Sequence, residues 1–192
     1  MKIASILLST VSAFPSWWEL PTNYESENFI TSIDWKLSMD SVMGGGSLGA
    51  IEKVDEYIHF TGELDLIDGG FAGFVGYVDS KLTGYEGKGV YSTSHLDLFQ
   101  GLRVSGRTPN TDRTFKVGVS RDNDGTWYHP LALENEFKSF EVKFDDFYFS
   151  YHGRPNDSIP PPLGSQIRKV RINISDEKPG PFEADINIIQ GV

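Results

Sequence analysis

The run Asp40-Ser41-Val42-Met43-Gly44-Gly45-Gly46-Ser47-Leu48-Gly49 concentrates more chemical possibility than any other stretch of this 192-residue chain. Gly44, Gly46 and Gly49 fit the spacing G-x-G-x-x-G, which lets backbone approach a dinucleotide pyrophosphate. Gly45, Ser47 and Gly49 fit G-x-S-x-G, the turn that presents a serine nucleophile. Both motifs require a strand before them and a helix after them, and the serine needs an acid and a histidine besides. Here Ala50 to Glu56 leads into Tyr57-Ile58-His59-Phe60-Thr61-Gly62-Glu63-Leu64, a strand pattern, and no helix opens at Gly49. A dinucleotide enzyme or a Ser47 hydrolase is therefore not expected. Three consecutive glycines bury no side chain and cost entropy to order. They serve a sharp turn, a positive φ or a close approach to a ligand, a partner or the protein's own sheet.

Other reactive residues are scattered. Asp122-Asn123-Asp124-Gly125 resembles the start of a calcium loop, but aligned on Gly125 it has Ser120 and Leu131 where carboxylates are needed. A tight hairpin is the better reading there. His59, His95, His129 and His152 form no pair at zinc-motif spacing. Asp145 and Asp146 are adjacent, on a strand end, and face apart. Glu63, Asp65 and Asp68 could flank a cleft, yet a glycosidase needs two carboxylates at a fixed separation, and solvated surface acids are the simpler reading. Trp127 and Tyr128 follow the Asp124-Gly125 turn; on a strand only one of the two can face a ligand, and core packing competes for both.

The chain must supply elements that hold these groups. A 39% hydrophobic content is that of a folded domain, and 13 Phe, 8 Tyr and 4 Trp favour sheet. The net charge of −10 argues against nucleic acid and against anionic lipid. With no cysteine there is no disulfide and no thiolate metal site. Met1-Lys2, the apolar run Ile3 to Val11 and the small residues of Val11-Ser12-Ala13 fit a signal peptide cleaved before Phe14. That run is too short to span a bilayer. The expected division is a signal peptide over 1–13, an extension over 14–28 and one domain over 29–192, with no transmembrane segment in the mature chain. The secretory route is expected, as a secreted or lumenal protein. Ser12-Ala13-Phe14-Pro15 also resembles the cleavage motif of bipartite plastid-targeting sequences. A mitochondrial presequence fits worse, because residues 1–30 hold no arginine. Trp17 and Trp18 could anchor a partner or fold back on the domain. Of the sequons at Asn156 and Asn173, the first lies in a Pro-rich loop and the second in a strand, where an unmodified outward polar residue is expected.

Period-two alternation puts Phe115, Val117 and Val119 on one face, and likewise Phe140, Val142 and Phe144; Val170, Ile172 and Ile174; and Phe182, Ala184, Ile186 and Ile188. Ile58 to Leu66, Phe71 to Val78 and Gly101 to Ser105 are further strands. Residues 79–97 and 151–165 read as long loops. Nine or ten short strands without crossover helices predict an all-β fold, an antiparallel β-sandwich.

Several motifs then occur in a characteristic order: Trp35; Ser41-Val42-Met43-Gly44-Gly45-Gly46-Ser47; Phe60-Thr61-Gly62-Glu63-Leu64; Gly69-Gly70-Phe71-Ala72-Gly73; Gly101-Leu102-Arg103-Val104-Ser105-Gly106; Phe140 to Phe147; and Gly180-Pro181-Phe182. Over roughly residues 29–190 this resembles the complex I intermediate-associated protein 30 family. The resemblance implies a galactose-binding-like jelly roll, similar also to some carbohydrate-binding modules, with no catalytic residues. It implies an assembly factor, or chaperone, for a respiratory or photosynthetic membrane complex; the alternative is a secreted or lumenal carbohydrate-binding module. The chain departs from the family in lacking a mitochondrial presequence and in an insertion-like stretch between Gly84 and Leu98. The candidate binding residues are Trp127, Tyr128, Trp35, Asp40, Met43, Gly44, Gly45, Ser47, Gly69, Gly70 and Phe71, with none catalytic. No cofactor is expected; a structural calcium follows only by analogy of fold. The expected partners are protein subunits or carbohydrate.

Overall fold

A computed structural model describes residues 25–67, 69–78, 96–121 and 125–192. The expectations for the signal peptide, Trp17, Trp18, His95, Asp68, the stretch 79–95 and the Asp122 to Asp124 turn lie outside the described residues.

Among the described residues one short helix, α1 (Phe29–Ser32), precedes twelve strands: β1 (Trp35–Met39), β2 (Leu48–Val54), β3 (Tyr57–Leu64), β4 (Ala72–Tyr77), β5 (Gly101–Arg107), β6 (Phe115–Ser120), β7 (Thr126–Leu131), β8 (Lys138–Lys143), β9 (Tyr148–Tyr151), β10 (Arg154–Pro155), β11 (Lys169–Ile174) and β12 (Gly180–Gly191). They form a seven-stranded sheet in the order β1-β4-β11-β6-β7-β9-β10 and a five-stranded sheet in the order β2-β3-β12-β5-β8. Every pairing is antiparallel. The chain passes back and forth between the sheets, as a jelly roll does, and the expected all-β sandwich is the observed one.

The alternation read from the sequence places the core. Phe74, Phe115, Val117, Val119, Val170, Ile172 and Ile174 of the larger sheet are fully buried, as are Phe60, Leu102, Val104, Ala184 and Ile186 of the smaller one. Phe60 meets Phe74 across the layers, ring centres 5.3 Å apart at 78°, the edge-to-face geometry aromatic quadrupoles prefer. Burying each such ring stabilises the fold by about 2–3 kcal/mol.

Three local expectations change. Alternation in β12 holds only to Ile186. A β-bulge at Asn187 shifts the register, so Ile189 takes the inward place and Ile188 pairs with Ser105. Asp145 and Asp146 lie on a 3-10 turn, Phe144–Asp146, because β8 ends at Lys143 while Phe144 still points into the core. The stretch 151–165 is not wholly loop: Arg154–Pro155 pairs with β9, and a 3-10 turn spans Gly164–Gln166. At the other end, residues 25–28 of the expected extension lie against β12. Asn28 Nδ2 donates to the Asn187 carbonyl at 2.7 Å, and Ser26 N to the Gly191 carbonyl at 3.0 Å.

Candidate functional site

The glycine run closes around its own aspartate. Asp40 starts a 3-10 turn (Asp40–Met43) between β1 and β2 and is fully buried. Its carboxylate accepts from Ser47 Oγ at 2.6 Å, Ser47 N at 3.2 Å and Gly70 N at 2.7 Å. Burial raises the Asp40 pKa. These bonds and a further one from the Phe71 backbone outweigh it, so the carboxyl sits below its usual range. Ser47 Oγ also accepts from Asp65 N at 3.1 Å, which ties the 65–71 loop to the glycine run. A Cβ on Gly45 or on Gly69 would overlap the Asp40 carboxylate, and one on Gly46 would overlap that of Asp65. Gly44 has φ +93°, the left-handed region, as it closes the turn. The close approach that the glycines permit is thus to a buried side chain of the protein itself.

Ser47 is fully engaged and leads straight into β2, so neither enzyme motif has the helix it requires. His59 bonds Asp185 and His129 bonds the Pro130 carbonyl. Among the described residues no three metal-ligating side chains lie together. No helix among them is long and apolar enough to cross a membrane.

The same knot presents an apolar rim. Val42 and Met43 on the turn, Leu48 at the start of β2, and Leu66 and Ile67 on the tied loop are all exposed, Val42 at 85%. Of the predicted residues, then, Asp40, Gly45, Ser47, Gly69, Gly70 and Phe71 build the knot, while Met43 and Gly44 stand on its outside. Trp35 is separate. It packs edge-on against Phe74 at 5.2 Å and donates its Nε1–H to the Phe29 carbonyl, fastening α1 to the larger sheet.

Trp127 and Tyr128 divide between core and surface. Trp127 is 4% exposed, packs edge-on against Phe149 and donates to the Pro160 carbonyl at 2.8 Å. Tyr128 points outward, in a row running Lys36–Val75–Arg171–Gly118–Tyr128–Tyr148 across the outer face of the larger sheet. One flanking row runs Tyr77–Lys169–Ser120, with the pair Thr126–Ser150 beyond it, and of these Ser120, Thr126 and Ser150 are buried; the other runs Ser38–Gly73–Asn173–Lys116–Pro130. Tyr128 and Tyr148 lie ring to ring at 6.3 Å, and Lys169 Nζ sits 5.1 Å over the Tyr77 ring. Burial, then the neighbouring Tyr128, pushes the Tyr148 pKa up. Burial lowers that of Lys116, against the pull of Asp176 and Glu177. Asn173 of the second sequon is on this face as expected, but covered, since its side chain lies over Gly73. Sequence reading missed the cations of this face because they are spread over three strands that only the fold brings side by side.

The outer face of the smaller sheet holds paired charges. Asp185 receives Arg107 Nε at 2.7 Å and lies 2.7 Å from His59 Nδ1. Arg103 binds Glu141 and Glu25.

A family model described as "Complex I intermediate-associated protein 30 (CIA30)" matches residues 22–186. A comparison with curated proteins by sequence returned no match. Among solved structures, the protein designated PfGH50B is similar with a TM-score of 0.51 at 10% identity, over 85% of this chain and 23% of that one. The family 11 carbohydrate-binding module of the cellulosomal cellulase Lic26A-Cel5E of Clostridium thermocellum has a TM-score of 0.48 at 13% identity, over 87% of this chain and 92% of that one. At such identities the likeness concerns the fold alone.

Proposed function

From the premise that this chain belongs to the complex I intermediate-associated protein 30 family, we propose that it is a non-enzymatic binding module, an assembly factor that holds protein subunits of a membrane complex. The observation that carries this reading is the apolar rim. Val42, Met43, Leu48, Leu66 and Ile67 stay exposed on loops fixed from beneath by the buried Asp40. Large apolar side chains kept in water on a rigid support suit a protein interface, since their burial drives association and little order is lost on docking. Purification of the tagged protein from its native cell should recover membrane-complex subunits. Val42→Ser with Met43→Ser should lose them while the melting temperature holds; recovery undiminished by the double variant removes the rim from the reading.

We infer a second reading from the outer face of the larger sheet, binding of carbohydrate. Tyr128, Tyr148 and Tyr77 stand outward there, and a phenol ring both stacks on a sugar face and hydrogen-bonds a hydroxyl. A glycan array probes it, with Tyr128→Ala as the variant expected to lose signal.

A further inference from the structure

We infer that the outer face of the larger sheet is a site for an anionic polysaccharide, a pyranose chain bearing carboxylate or sulfate groups. This rests on the carbohydrate reading and narrows it to a charge class. The three outward rows carry Lys36, Lys169, Arg171 and Lys116, and none of their described positions is Asp or Glu. In a chain with 27 acids against 17 Lys and Arg, that is a strong local segregation of charge. Lys116 belongs to the margin, because it already donates to Ser175 and feels Asp176 and Glu177.

Arg171 is the centre. Its Nε is buried without a hydrogen-bond partner, and so is the hydroxyl of Ser120 in the next row. A guanidinium that is half-buried with its Nε–H unspent gains from an acceptor brought against it, and a carboxylate or sulfate is the acceptor whose geometry and charge it fits best. Gly118 makes the place for it. A Cβ there would lie 2.8 Å from both Arg171 Cγ and Tyr128 Cε1, so only glycine leaves room over the strand for the aliphatic stem of Arg171 and the ring. Beside that contact stands Tyr148, and at the opposite side of the face Tyr77 with Lys169 over its ring. Tyr77 on β4 thus stands on one side of Arg171 on β11, and Tyr128 and Tyr148 on β7 and β9 on the other, over four strand spacings, about 19 Å, the reach of a short oligosaccharide. An acidic protein tail would find the charges here but would have no use for flanking rings set to stack; that occupant is an arm of the test.

The whole protein repels polyanions, so binding must come from this face. The test is affinity electrophoresis of the full chain in about 0.1 M salt, where charges beyond about 10 Å are screened. Gels contain polygalacturonate, dextran sulfate, neutral mixed-linkage β-glucan or polyglutamate. Retardation is expected in polygalacturonate, dextran sulfate or both, the pair telling carboxylate from sulfate, with none in β-glucan or polyglutamate. Arg171→Met and Tyr128→Ala should each weaken it about tenfold with melting unchanged, and Arg171→Lys should recover part of it. Val42→Ser should leave it intact. Retardation by β-glucan alone overturns the charge class and keeps the carbohydrate reading. No retardation in any sugar gel overturns both. Equal retardation in polyglutamate, or an Arg171→Met that binds as before, overturns the site.

Discussion

The loop knot at Asp40 and the sheet face around Arg171 both gather polar chemistry, yet they use it in opposite ways. Every oxygen of Asp40 is taken up by Ser47, Gly70 and their neighbours, and glycines press in until no room is left. Around Arg171 a glycine also makes room, but the guanidinium keeps a buried donor unmatched and the phenols stand outward. Chemistry satisfied inside the fold is architecture, whereas chemistry the fold leaves unspent is available for recognition. The motif that drew attention in the sequence therefore belongs mostly to the scaffold, and the open surface lies elsewhere.

The comparison breaks most visibly at Asp40. Asp40→Ala leaves Ser47 N and Gly70 N without their acceptor beneath the loops and should cost about 3–5 kcal/mol in urea unfolding, with the m-value unchanged. A loss under about 1 kcal/mol would mean the knot is not what holds the two loops. Gly45→Ala drives a methyl into the same carboxylate and should cost about 2–3 kcal/mol. Gly44→Ala, in open space but at positive φ, should cost only about 1–2 kcal/mol. Reversal of that order would show that backbone conformation, not the approach to Asp40, explains the glycines.

Acid should separate the two regions as well. The folded pKa of Asp40 is depressed below the unfolded 3.8. Its contribution to stability is therefore complete above about 3.8 and is lost as pH falls from there through the folded value. Midpoints of urea unfolding followed downward in pH should drop more steeply for the wild type than for Asp40→Asn below that point. Parallel curves would place the acid sensitivity in other carboxylates.

Much of the sandwich was legible. Alternation needs only local sequence, and β6, β8, β11 and the first half of β12 follow it. β1, β2, β9 and the very short β10 did not announce themselves, because their apolar residues do not alternate cleanly with polar ones. The bulge at Asn187 inverted the end of β12, and a register shift against β5 is not encoded in a local alternation pattern. At the candidate sites, residue types were visible but their partners were not. Asp40 and Gly70 are 30 positions apart, and Arg171 and Tyr128 meet only because β6 lies between their strands. The choice between Trp127 and Tyr128 turned on strand register, which fixes the whole set of faces at once.

The smallest effect is the sharpest discriminator. Arg171 gains no hydrogen bond through its Nε and is half-buried, so Arg171→Met, which keeps the aliphatic contact over Gly118, should change stability by no more than about 0.5 kcal/mol. The same substitution should nevertheless abolish most of the retardation in polyanion gels. A residue needed for folding cannot give that pair of results, because its loss would appear first in the unfolding midpoint. If Arg171→Met instead unfolds the protein as Asp40→Ala does, the guanidinium is spent inside the sheet after all. The difference between a closed knot and an open face then disappears, and with it the reason for placing a ligand on the larger sheet.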